Sequence, residues 1–141
     1  MNKIYGFGNA LIDVEIQISE SQLKSIDIPK GTMKHISNSQ LRLFTEEFSN
    51  QTYSSLPGGS IANSLYAANQ HNADTYFSCS IGDDEYGNIF INSFKDSGSS
   101  ISLYKSDLTT GVWLIFVTHD GQRTMAAHLG ENLDLHTESS N

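Results

Sequence analysis

The stretch "GVWLIFVTHDGQRTMAAHL", Gly111 to Leu129, constrains the fold more than any other part of the chain. Asp120-Gly121, set between two extended runs at 112–118 and 123–128, is a strong hairpin signal. The first run is apolar on both faces, with Val112, Leu114 and Phe116 on one and Trp113, Ile115 and Val117 on the other. Such a hairpin must be covered twice. A ligand or core takes one side, and another chain or element takes the other.

Upstream, "LIDVEIQI" alternates and reads as a half-exposed strand, with Ile12, Val14, Ile16 and Ile18 on its apolar face. "SESQLKSIDIPKGTMKHIS" reads as a linker with a turn at Pro29-Lys30-Gly31 and a short strand near 33–36. These pieces and the hairpin form one β-layer. A second pattern runs through it. "IYGFG", Ile4 to Gly8, reads as a short buried strand, and "TYFSCSIG" as another. A helix capped by Ser39 carries Leu41, Phe44 and Phe48 on one stripe. Ser60 to Gln70 reads as a helix with Ile61, Leu65 and Ala68 aligned. Asp83 or Asp84 caps a third helix bearing Tyr86, Ile89, Phe90 and Phe94, which ends at Gly98, and "SISLYK" follows as a strand. Strand, helix, strand, helix, strand predicts an α/β layered domain with a parallel sheet. The 141 residues suffice for one such domain.

Composition excludes several function classes. Eight Lys plus Arg against sixteen Asp plus Glu, with no basic cluster, oppose binding to nucleic acid or anionic membrane. No apolar run approaches a membrane span of roughly 20 residues, and the N-terminus does not read as a signal peptide. The lone Cys79 allows no internal disulfide or cysteine-rich zinc site, and the five His are dispersed. A reducing cytoplasm is the expected location.

Three segments hold groups able to do chemistry. Asn9 and Asp13 in "GNALIDV" fall at the carboxyl end of a core strand, where α/β sheets collect ligands. They suit two neighbouring hydroxyls, or else a turn and a solvated strand position. Gly58-Gly59 in "PGGSIAN" lets backbone approach a ligand at a helix N-terminus, or makes a tight turn. No phosphate-loop fingerprint is present, which disfavours an unrelated nucleotide-binding protein. Asn63 sits one turn into that helix, opposite Leu65. The acidic cluster of "GDDEYG" fits helix capping or a metal.

"GNALIDV", "PGGSIAN", "GDDEYG" and "TGVWLIFVTHDGQRTMAAHLGEN", in that order, resemble the N-terminal half of the ribokinase-like (PfkB-type) carbohydrate kinases, on the adenosine-kinase and sugar-kinase side. The resemblance implies a doubly wound α/β domain with a small β-sheet lid, its segments near 12–18, 32–36 and 111–129. It implies transfer of the γ-phosphate of ATP, with Mg²⁺, to a hydroxymethyl group of a sugar or nucleoside. By it, Asn9 and Asp13 would bind sugar hydroxyls, and Gly58, Gly59 and Asn63 would complete the pocket, the glycines acting as a hinge. Phe116 and Met125 would line the inner face of the lid. Its outer face would meet a second subunit, giving a homodimer. Ile61 departs from the family's usual Gly or Ala at that position. The family's second half, with the G-A-G-D motif that carries the general base and anion hole, is absent. The 141 residues are therefore expected to be inactive alone, as a fragment of a kinase, or to form a non-catalytic binding or assembly module. A sheet edge and apolar faces are expected to lie uncovered.

Overall fold

A computed structural model describes residues 2–106 and 109–130. The chain runs β1 (Lys3–Phe7), β2 (Leu11–Gln17), α1 (Glu20–Ser25), β3 (Met33–His35), α2 (Asn38–Glu47), β4 (Thr52–Gly58), α3 (Ser60–Gln70), β5 (Asp74–Gly82), α4 (Glu85–Asp96), β6 (Ser100–Ser106), β7 (Gly111–Val117) and β8 (Arg123–His128). Two sheets result. One is all parallel, three-stranded, in the order β1-β5-β6. The other is mixed, five-stranded, in the order β3-β8-β7-β2-β4.

The parallel sheet is covered on one face. Gly6 of β1 faces Ile61 and Leu65 of α3, and its register partner Phe77 stacks on Phe94 and tilts against Phe90 of α4. The Tyr66 hydroxyl of α3 donates to the Ser93 carbonyl of α4 at 2.6 Å, locking the two helices side by side. On the opposite face Tyr5 stacks on Tyr76, their rings 4.8 Å apart. There Tyr5 and Phe7 remain 63% and 65% exposed. The expected strand at Ile4–Gly8 therefore forms, but as an exposed edge and not as a buried strand.

The five-stranded sheet carries its own core. Ile12, Val14 and Ile16 of β2 share one face with Val112, Leu114 and Phe116 of β7. Phe116 sits edge-on to Phe44 and Phe48 at the C-terminal end of α2, and Leu23 of α1 joins the same cluster. So α1 and α2 fill the face that carries Phe116, which was expected to face the substrate.

Three local readings need correction. The expected linker contains α1, started by a capping box in which the Gln22 N–H donates to Ser19 Oγ and the Ser19 N–H to Gln22 Oε1. A second box, Ser37 with Gln40, starts α2, so its cap is Ser37 and not Ser39. Residues 52–58 form a strand that sequence reasoning missed, because "TYSSLPG" is short of β-formers. It survives as the sheet's edge, where Pro57 costs no ladder bond. The remaining helices keep their expected spans, with Asp84 as the α4 cap and Gly98 at φ 78 just after its end.

Candidate functional site

The chain passes between the two sheets three times, through Gly8–Ala10, through Gly58-Gly59, and through the segment entering β7. The first two crossings meet. Gly58 is the register partner of Leu11, and a Cβ on Gly58 would fall on the Asp13 carboxylate. A Cβ on Gly59 would lie 3.6 Å from the Asn9 carbonyl oxygen. Gly59 has φ +96 and is the N-cap of α3; its carbonyl accepts from the Asn63 N–H at 3.0 Å. The structure thus brings Asn9, Asp13, Gly58, Gly59 and the first turn of α3, with Asn63 exposed on it, to one junction. Glycine at position 58 is what lets the carboxylate lie against the backbone.

Asp13 belongs to the face of the five-stranded sheet turned away from α1 and α2. Register places Glu15 and Leu56, Trp113 and Ile115, and Met125 and Ala127 on that face. Arg123 joins them and pairs with Glu15 at 3.0 Å. Partial burial pushes the Asp13 carboxyl above its ordinary value, Glu15 adds to the rise, and Arg123 opposes it. Trp113, register partner of Asp13, has a buried indole N–H without a hydrogen-bond partner among the described residues. The face therefore offers a half-buried carboxylate, an ion pair and an aromatic plane side by side.

Phe116 and Met125 do not share a face. Phe116 pairs with Thr124 and points into the α2 cluster, whereas Met125 pairs with Ile115 on the Asp13 face. An antiparallel pair fixes this, since residues one apart alternate. Phe116 is a core residue. Sequence reasoning missed Glu15 and Arg123, although alternation from Asp13 already puts Glu15 on its face. The acidic cluster resolves into a cap: Asp84 accepts from the Gly87 N–H at 2.7 Å. An open groove lies elsewhere, on the α2 side of the sheet, between Val14, Glu46, Ser55, Glu85 and Tyr86. It contains none of the junction residues.

Residues 31–141 match the family described as pfkB family carbohydrate kinase. The chain belongs to the pfkB family of carbohydrate kinases. Solved pfkB-like structures share its fold. The apo adenosine kinase of Trypanosoma brucei brucei superposes with a TM-score of 0.83 at 23% identity, covering 98% of this chain and 43% of its own. A probable sugar kinase from Rhizobium etli gives 0.80 at 22% identity, covering 99% of this chain and 42% of its own. The Anopheles gambiae adenosine kinase, in complex with P1,P4-di(adenosine-5) tetraphosphate, gives 0.81 at 24%, covering 96% and 41%. This pfkB chain thus spans about two-fifths of the length of these neighbours and corresponds to a partial ribokinase-like fold. Among the described residues, no helix is long and apolar enough to cross a membrane.

Proposed function

We propose that this chain supplies the substrate-binding part of an ATP-dependent kinase that phosphorylates a hydroxymethyl group of a sugar or nucleoside. The observation that carries this reading is the close approach of Gly58 to the Asp13 carboxylate at the junction of the two sheets. A carboxylate held there accepts from two neighbouring hydroxyls, and the Asn9 and Asn63 amides both donate and accept. The five-stranded sheet is the lid, and Met125 stands on its inner face. This reading does not require dimerisation through the lid, whose outer face carries α1 and α2.

ATP supplies the phosphoryl group and Mg²⁺ its counter-charge in the reaction proposed. The glycine pair does not fit a phosphate: the backbone at Gly58 lies against a carboxylate, which repels an anion. Nucleotide binding is therefore not assigned to these residues. The G-A-G-D motif that the family resemblance gives to the general base is not among these 141 residues. Phosphoryl transfer relies on positioning and charge stabilisation, so the chain by itself is read as a binder.

Calorimetric titration with adenosine, ribose and fructose tests the reading. Binding of one of them, abolished in Asp13→Ala, is the expected result. Equal binding by that variant overturns the role given to Asp13. The helices that cover one face of the lid sheet also support a second reading, a non-catalytic binding module. Such a module would unfold in one cooperative transition on its own. Absence of phosphoryl transfer from the uninterrupted gene product would separate it from the first.

A further inference from the structure

The third crossing between the sheets differs from the other two. Thr110 stands immediately before β7, and its side chain is fully buried. Both oxygens of Asp84 hold it. The Thr110 N–H donates to Asp84 Oδ2 at 2.8 Å, and the Thr110 hydroxyl donates to Oδ1 at 2.7 Å. That hydroxyl also accepts from the Gly82 N–H at 3.0 Å. A Cβ on Gly87 would collide with the Gly82 carbonyl and stand 3.1 Å from the Thr110 hydroxyl. Gly82, Asp84 and Gly87 of "GDDEYG" therefore all shape one receptacle for Thr110.

The preceding residue grips the other sheet. His128 Nδ1 faces the Ile36 carbonyl, which can only accept, so Nδ1 carries the proton. In the neutral ring Nε2 then accepts from the Thr109 hydroxyl, 3.0 Å away. Two adjacent threonines thus bind one sheet each. Thr110 is anchored to the parallel sheet's β5–α4 junction, and Thr109 to β8 of the lid.

We propose that Asp84 is a positioning residue. It pins Thr110 where the chain enters the lid and so sets how the Asp13–Trp113 face is presented to a substrate. Its functional consequence rests on the reading of that face given above. Bonds to an ionised acceptor are the stronger kind, and two of them to one residue fix direction as well as distance. Helix capping needs only one of the Asp84 oxygens. The second oxygen, and the hydroxyl relay to Gly82, serve only the crossing.

Asp84→Asn keeps the volume but sets an amide N–H₂ against a donor on Thr110 or Gly87. Thr110→Val removes the hydroxyl and leaves the Gly82 N–H unpaired, and Thr110→Ser restores it. Spin labels at Ser39→Cys on α2 and Asn92→Cys on α4 report the separation of lid and parallel sheet, and Cys79 is too buried to take label. The expected result is one narrow distance peak in the labelled parent and in Thr110→Ser, with a broadened or displaced peak in Asp84→Asn and Thr110→Val. Adenosine or ribose, whichever the parent binds, should bind those two variants about tenfold more weakly, a typical coupling between linked elements. Unchanged distances in both variants overturn the proposal. So do changed distances with unchanged affinity. A melting temperature lowered with distances intact overturns it too, leaving Asp84 a cap alone. If Asp84→Asn does not fold, Thr110→Val against Thr110→Ser decides by the same readings. A parent that binds neither ligand, with distances that still respond, overturns the substrate reading and leaves the clamp standing.

Discussion

Gly58 and Gly59 are adjacent, yet each is glycine for its own reason. At 58 the backbone is ordinary and the space is taken by a flexible side chain, Asp13. At 59 there is room, but φ is +96, a region that L side chains avoid. The two alanine variants should therefore separate. Gly58→Ala should leave the melting temperature nearly unchanged, because Asp13 can swing away, and should abolish ligand binding for the same reason. Gly59→Ala should cost about 1–3 kcal/mol in denaturant unfolding. Asp13 gives a second test, through pH. Its folded-state carboxyl is raised above 3.8, chiefly by burial, so the folded chain holds that proton more tightly than the unfolded chain. The group favours folding at low pH and becomes a penalty as pH rises through the folded value. Asp13→Asn should raise the melting temperature at pH 7 and change it little at pH 3, while ligand binding is lost. A lower melting temperature at pH 7 would contradict the assigned cause. The motif residues of this site were legible in the sequence as types and spacings. Their meeting was not, because it depends on β2–β4 pairing, and β4 has too little β-propensity to declare itself.

At the scale of elements, the lid sheet is held by two helices, one legible from its apolar stripe and the other, α1, marked in the sequence only by its cap. Ser19–Gln22 and Ser37–Gln40 both follow the S-x-x-Q pattern. The first helix has six residues, too few to show a period, and reads as linker on hydrophobicity alone. The long elements were legible because burial follows their periodicity closely. Leu41 on α2 is buried in the core, Phe44 and Phe48 meet Phe116, and Phe90 and Phe94 on α4 meet Phe77. The two-faced β7 then makes sense: one face is core and the other stays toward the site. Phe116→Ala should cost about 3–5 kcal/mol in chemical denaturation, as a fully buried ring removed between two others. Met125→Ala, on the opposite face and partly exposed, should cost less and act on ligand affinity instead. Equal costs would mean that the faces are assigned wrongly. The thiol of Cys79, pushed up to about 12 by burial in β5, should resist alkylation at pH 8 until the chain unfolds. Reaction in the native state would show that β5 opens locally.

At the scale of the whole molecule, the two sheets are unequally finished. The lid sheet has helices on one face and the candidate site on the other. The parallel sheet has α3 and α4 on one face, while Tyr5, Phe7 and Tyr76 lie on the face without a described helix. Parallel sheets are almost always covered on both faces, and the solved neighbours have chains more than twice as long. An aromatic patch on β1, an edge strand among the described residues, is a surface that binds apolar dyes and invites strand pairing. The native chain should therefore bind an anilinonaphthalene dye before its thermal transition. The double variant Tyr5→Lys, Phe7→Lys should lose most of that binding and stay monomeric at higher concentration. Its melting temperature should move little, since both side chains already project into solvent, and surface changes typically fall within about 0.5 kcal/mol. Dye binding that survives the double variant would place the sticky surface elsewhere, and Leu43 and Leu56, each 62% exposed on the lid, are the next candidates. A large fall in melting temperature would mean instead that the Tyr5–Tyr76 stack supports the sheet. In that case the uncovered face is a working part of this chain's stability, and a partner that covers it must first displace a contact already made.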